Sequence, residues 1–207
     1  WESFVSRQKP LTSEWLNNAK EDKFKECVSD STGLNLSNLK FITAVLVFIK
    51  IFKRELKDEK NIGILLPSSS IAAIVNMALL AMGKVSVNLN YTLNETSLNH
   101  ALRKANINTV ITSSKFLEKL ALKGFDLKDA MSGKAKFAED LSVSVSKKEK
   151  FLALLTAFFA PTWLIKLCYF RPVSLEDTAT ILFSSGSEGE PKGIELSHKN
   201  LLANIKQ

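Results

Sequence analysis

Asn61–Glu95 reads NIGILLPSSSIAAIVNMALLAMGKVSVNLNYTLNE, and its alternation of apolar runs with cap and turn residues decides the fold class. Asn61–Pro67 (NIGILLP) has the make-up of a buried strand. Ser68–Ser70 supply capping hydroxyls for an apolar helix over Ile71–Met82, which Gly83 can end. Lys84–Leu89 (KVSVNL) reads as the next strand. Thr92 and Glu95 have capping-box spacing, and Leu98, Ala101, Leu102 and Ala105 then fall at i, i+3, i+4 and i+7, one apolar helix face. Asn108–Thr112 is a further strand. Strand, helix, strand, helix, strand with short connections is the pattern of an α/β protein: a largely parallel sheet covered by helices.

Toward the N-terminus, Ser13–Lys20 (SEWLNNAK) is a helix candidate carrying Trp15 and Leu16, and residues 1–12 read as a linker or the tail of a preceding domain. Glu26–Ser29 is a short strand candidate turning at Gly33. Ser37 is a plausible N-cap for a helix running to about Leu56. Its middle, Phe41–Phe52, is apolar almost all round, too short to span a bilayer and so expected in the core. Lys53–Lys60 (KRELKDEK) is a solvated helix end and loop.

Composition is that of an ordinary globular chain, 45% hydrophobic and 24% charged over 207 residues. The charge of +7 suits an acidic protein partner or an anionic lipid surface. The lysines are scattered and no nucleic-acid motif accompanies them, so nucleic acid is not an expected partner. Cys27 and Cys168 stand far apart without metal-type spacing, and His100 and His198 are the only histidines, so neither a disulfide framework nor a histidine-rich metal site is expected. No signal peptide is visible, and the expected compartment is the cytoplasm. The chain begins without methionine and stops within a helical pattern, which reads as part of a longer polypeptide.

Ser146–Pro172 (SKKEKFLALLTAFFAPTWLIKLCYFRP) is unusual. Lys147, Lys148 and Lys150 precede an aromatic-rich apolar run broken by Pro161, which argues against a transmembrane helix. Two readings stand. One is a helix pair packed on the sheet, with Leu152, Leu155 and Phe159 in the core. The other is an amphipathic segment in the headgroup region of an anionic membrane, with Phe151, Phe158 and Trp163 facing lipid on the cytoplasmic side of an inner membrane.

The remaining motif is Ser184–Gly193, SSGSEGEPKG, after the strand-like Thr178–Phe183 (TATILF) and before Ile194–Ser197 and a helical tail from His198. Glycines, hydroxyls and a lysine in one loop suit an oligophosphate: amides and hydroxyls donate, and the ammonium offsets charge. The same composition also suits a flexible surface loop. A Walker loop is excluded because Lys192 is followed by Gly193, and the dinucleotide fingerprint fails because only Gly186 and Gly189 stand near the right place.

The run ILFSSGSEGEPKGIELSH resembles the phosphate-loop motif of the adenylate-forming (AMP-binding) superfamily, a serine- and threonine-rich SGTTG-x-PKG followed by Ser/Thr-His. Ser185, Gly186, Ser187, Gly189, Pro191, Lys192, Gly193, Ser197 and His198 fall on that pattern. Asn61–Glu95 and INTVITSSKF (Ile107–Phe116) resemble the first α/β subdomain of the same family. Glu188 departs, standing where a hydroxyl is usual. SGSEG and NLNYT (Asn88–Thr92) are closest to the bacterial acyl-[acyl-carrier-protein] synthetases, including those fused to a 2-acylglycerophosphoethanolamine acyltransferase.

The resemblance implies that residues 13–207 are the N-terminal part of an adenylation domain of the acyl-CoA synthetase-like fold. It implies ATP and Mg2+ as cofactors, a fatty acid substrate, and acyl-carrier protein or CoA as acceptor, serving phospholipid acyl recycling. The phosphate site would comprise Ser184, Ser185, Gly186, Ser187, Glu188, Gly189 and Lys192, with His198 supporting the start of the last helix. The family's aromatic-Gly-x-Thr-Glu metal motif and catalytic lysine would lie beyond Gln207. No catalytic residue or metal ligand is expected within this stretch, and it is expected to be inactive alone; the alternatives are a general acyl-CoA synthetase, or a non-catalytic membrane- or partner-binding module whose phosphate loop is vestigial.

Overall fold

The computed structural model describes residues 9–31, 33–56, 58–92, 95–184 and 191–205, with Lys128 by its backbone only. The chain opens on helix α1 (Leu11–Glu21), a ribbon of β1 (Glu26–Ser29) and β2 (Asn35–Ser37), and the long helix α2 (Asn38–Glu55). Then come β3 (Asn61–Leu65), α3 (Ser70–Ala81), β4 (Val85–Asn88), α4 (Glu95–Lys104) and β5 (Val110–Thr112). Short elements follow: α5 (Ser114–Leu122), α6 (Lys128–Met131), β6 (Ala135–Phe137) and α7 (Ala138–Val143). The helix pair α8 (Lys147–Phe159) and α9 (Thr162–Tyr169) precedes β7 (Thr178–Ser184), β8 (Lys192–Ser197) and α10 (His198–Ile205).

Six strands form one sheet in the order β6-β5-β3-β4-β7-β8. All neighbours are parallel except β7 and β8, which pair antiparallel at one edge. The period-2 alternation of the strands sorts their side chains between two cores. Ile62, Ile64 and Ile111 point into a core with α1, α2, α3 and α8. Leu65, Val85, Val87, Val110 and Ile181 point into a second core with α4, α5 and α6. Gly63 sits between Val110 and Leu89, where a Cβ would meet their methyls at 3.0 and 3.2 Å, so the second core closes over bare backbone.

The cap residues read from sequence do the expected work. Ser37 Oγ accepts from Lys40 N, Ser69 Oγ accepts from Ala72 N, and Gly83 leaves α3 at φ 66°. Leu98, Ala101, Leu102 and Ala105 are all buried. The Thr92–Glu95 capping box falls partly on Leu93 and Asn94, outside the described residues; Thr92 N and Oγ1 both donate to Asn90 Oδ1. Helix α1 starts two residues before Ser13 and buries Thr12.

The core assignment over Ser146–Pro172 needs correction. The helix pair exists and packs, but its anchors are Ala153, Ala157 and Ile165, while Leu152 and Phe159 are exposed. Small side chains let α8 lie close on α2, and this turns its large residues outward. Phe158, read as lipid-facing, is instead half-buried under Lys23 and between the rings of Phe24 and Phe159. No described helix is long and apolar enough to cross a membrane.

Candidate functional site

Strands β3, β4, β5 and β7 run in one direction, so the segments that follow them open on the same edge of the sheet. Ligands of open α/β sheets bind outside that carboxyl edge. The β7–β8 hairpin brings two of the sequence-predicted site residues together there. Ser184 ends β7 and Lys192 begins β8, directly opposite each other in the ladder. Both are exposed. Lys192 is therefore a strand residue rather than part of the turn. Ser185, Gly186, Ser187, Glu188 and Gly189 lie outside the described residues.

The stem of the hairpin is well defined. Pro191 is buried, and Gly193 lies across from Phe183, whose ring edge would be 3.2 Å from a Cβ there. Glycine at 193 thus lets an aromatic ring cover the strand below the loop. Thr180 Oγ1 donates to Ser86 O at 2.6 Å and ties β7 to β4 through a buried hydroxyl. The amides of Asn76 and Asn88 exchange hydrogen bonds of 3.1 and 3.0 Å near the carboxyl end of β4.

Below the hairpin, Ser197 Oγ accepts from Asn200 N and caps α10. His198 is almost completely buried, and its N–H donates to Asp177 O. Burial holds its imidazole below the ordinary value of 6.5, against an opposing pull from Asp177. The buried ring sits at the first position of α10.

A second feature at the carboxyl edge was not read from sequence. A cleft of about 500 Å3 is lined by Ser68, Ser69, Tyr91, Ser113, Lys115, Lys119 and Lys123 among others. Tyr91 and Phe116 meet edge-on at 5.3 Å and wall it. The three lysines recur at i, i+4 and i+8 from the start of α5, a helical spacing legible in the sequence once α5 is drawn. Among the described lining residues the charged groups are these three lysines, while the Ser113 hydroxyl is already donated to Glu139.

The family model for AMP-binding enzymes matches residues 45–207. This chain belongs to the AMP-binding enzyme family. A 4-coumarate--CoA ligase-like 6 of Arabidopsis thaliana is 24% identical over 146 residues, 70% of this chain and 24% of that protein. A crotonobetaine/carnitine--CoA ligase of Shigella flexneri serotype 5b is 54% identical over 35 residues, 17% of this chain and 7% of that one. Among solved structures, VinN with 3-methylaspartate superposes with a TM-score of 0.72 at 17% identity, over 95% of this chain and 50% of VinN. A benzoate CoA ligase from Burkholderia xenovorans LB400 gives 0.69 at 16% identity, over 96% and 36%. The fold is thus that of the N-terminal subdomain of AMP-binding enzymes, and the chain spans about a quarter or less of these two curated relatives.

Among the described residues, no three His, Cys, Asp or Glu side chains cluster as metal ligands.

Proposed function

We propose that the chain is the N-terminal part of an ATP-dependent acid–thiol ligase, and that residues 184–192 hold the phosphates that leave as pyrophosphate. The observation that carries this reading is the Ser184–Lys192 pair on the carboxyl edge of a sheet in an AMP-binding family member. A substrate carboxylate oxygen attacks the α-phosphorus, the bond to the β-phosphate oxygen breaks, and the electron pair leaves on pyrophosphate. The Lys192 ammonium and the Ser184 hydroxyl, with the hydroxyls and amides of Ser185–Gly189, offset that growing charge. A thiol then displaces AMP to give the thioester. On this reading residues 13–207 are the N-terminal part of the adenylation domain, and residues 1–12 are a linker or the tail of a preceding domain.

For the acceptor, SGSEG and NLNYT favour an acyl-carrier protein and, with it, a fatty acid and phospholipid recycling. CoA is the second reading, supported by the CoA ligases among the relatives. Phosphopantetheine is common to both acceptors, and the lysines of α5 suit an anionic partner of either kind.

The test is ATP–pyrophosphate exchange on the complete polypeptide with Mg-ATP and palmitate. Activity is expected there and not from residues 1–207 alone, and Lys192→Ala should lower kcat/KM about tenfold or more. A complete polypeptide that forms no acyl-adenylate from any aliphatic acid overturns the proposal. Discharge of the adenylate onto holo-acyl-carrier protein rather than CoA decides between the acceptors.

A further inference from the structure

Helices α8 and α9 carry more apolar surface than the chain itself covers. On α8, Ala153 and Ala157 are buried against α2, Phe159 lies on the opposite side, 73% exposed, and Phe151 stands at the flank, 59% exposed. On α9, Ile165 is buried while Trp163 and Leu167, 64% and 75% exposed, point away. Phe159 ends one helix and Trp163 stands four residues on, so the two outward faces meet at the Ala160–Pro161 corner. The surface continues into a groove of about 480 Å3 between α2 and α8, walled by Val47, Phe48, Phe151 and Leu154 with Lys40 and Lys150 beside them. Apolar area of this extent marks an interaction site.

The charges carried by the pair itself are mostly of one sign, with Glu14 of α1 standing near Lys166. From Lys150 to Leu175 the sequence holds Lys150, Lys166 and Arg171 and not one Asp or Glu, and Lys147 and Lys148 stand just before. Glu149 is turned away into the capping box with Ser146 and toward Arg54. The helix ends are satisfied from within the chain. Lys20 Nζ donates to Ala157 O and Ala160 O, both at 2.8 Å, Lys23 Nζ donates to Phe158 O, and Lys53 Nζ donates to Cys168 O. The ends of the pair thus need little water, as a low-dielectric boundary demands.

These features select the occupant. A second copy of the chain would bring the same lysines against their own kind across a two-fold contact. Aromatic and aliphatic side chains edged by ammonium groups are the make-up of helices lying at an anionic lipid surface. Helix α8, at 13 residues, is about 20 Å long against a hydrocarbon core of about 30 Å, so it lies in the interface and does not span it.

We propose that the α8–α9 pair is a docking surface for a bilayer rich in anionic phospholipid. Phe151, Phe159, Trp163 and Leu167 insert beneath the headgroups, and Lys147, Lys148 and Lys150 meet the phosphates. The inference stands independently of the nucleotide loop.

Co-sedimentation of the purified protein with vesicles of phosphatidylglycerol and phosphatidylcholine, and of phosphatidylcholine alone, tests it. Wild-type protein should pellet with the mixed vesicles only. Phe159→Ser with Trp163→Ser should lower partitioning at least about tenfold, and each of Lys147→Gln and Lys148→Gln about fivefold. All four positions are exposed, so melting temperatures should stay unchanged. Leu122→Ser, at an exposed leucine on α5, should bind like wild type. Equal partitioning of wild type and the Phe159/Trp163 variant overturns the proposal. So does wild-type binding that ignores lipid charge, or a lipid-indifferent dimer that the same variant dissolves.

Discussion

Helices α2 and α8 look alike in sequence and differ in the fold. Phe41–Phe52 and Phe151–Phe159 are both apolar nearly all round, and both follow a serine N-cap. In α2 every large apolar residue from Phe41 to Phe52 is buried, because α1, α3, α8 and the β1–β2 ribbon surround it. In α8 only Ala153 and Ala157 are buried, because one side rests on α2 and the rest is covered only in part, at Phe158 by Lys23 and Phe24. Apolar content therefore says that a helix needs cover, not which face receives it or from what. Small residues mark the packed face here, where volume must be low for close approach.

The largest test of this contrast is a pair of phenylalanine truncations. Phe52 is fully buried, and Phe52→Ala should cost about 3–5 kcal/mol in urea unfolding, through lost transfer energy and a cavity. Phe159→Ala should stay within about 0.5 kcal/mol in the absence of lipid. Comparable losses from both would mean that α8 is covered in solution.

Intermediate in size is the anchor of α8 itself. Lys20 reaches from α1 to the last carbonyls of α8, and burial lowers its ammonium pKa below the ordinary 10.5. Replacing it with methionine keeps the stem and removes the donors, at an expected cost of about 1–2 kcal/mol. Hydrogen exchange should show that loss in α8 and α9 amides, with β3 and β5 unchanged. Equal loss in the sheet would mean that the pair unfolds together with the core.

The legibility of the chain follows the same logic. The stretch from β3 to β5 was readable because each element is bounded by its own punctuation: Ser69, Gly83 and the period-2 valines of β4 are local signals with local effects. Between Lys115 and Val145, α5, α6, β6 and α7 are short, amphipathic and defined by contacts with distant partners, so periodicity offered little. Lys192 was readable as a site residue but not as a strand residue, because its place depends on pairing with Ser184. The cleft lysines went unread for the same reason: Lys115, Lys119 and Lys123 acquire a common face only once α5 packs beside the segment after β3.

The smallest effect separates the two helices at their first turns. In α2, Ser37 Oγ accepts from Lys40 N, and the amides of Asn38 and Leu39 donate to Lys25 O and Lys23 O. In α8 the capping box between Ser146 and Glu149 does this work with no such help from neighbouring strands. Ser146→Ala should therefore fray α8 by about 1 kcal/mol, read as lost amide protection, and Ser37→Ala should cost less at α2. Acid should mimic the Ser146 change. Hydrogen bonds from the Ser146 backbone and hydroxyl, with Arg54 adding to them, hold the Glu149 carboxyl below its ordinary 4.5. A carboxylate whose folded value is depressed contributes above its unfolded value and loses that contribution as pH falls through the folded one. Protection at the start of α8 should thus decline below pH 4.5, and Glu149→Gln should flatten that decline. An unchanged acid profile in Glu149→Gln would place the cap's strength in the Ser146 hydroxyl alone.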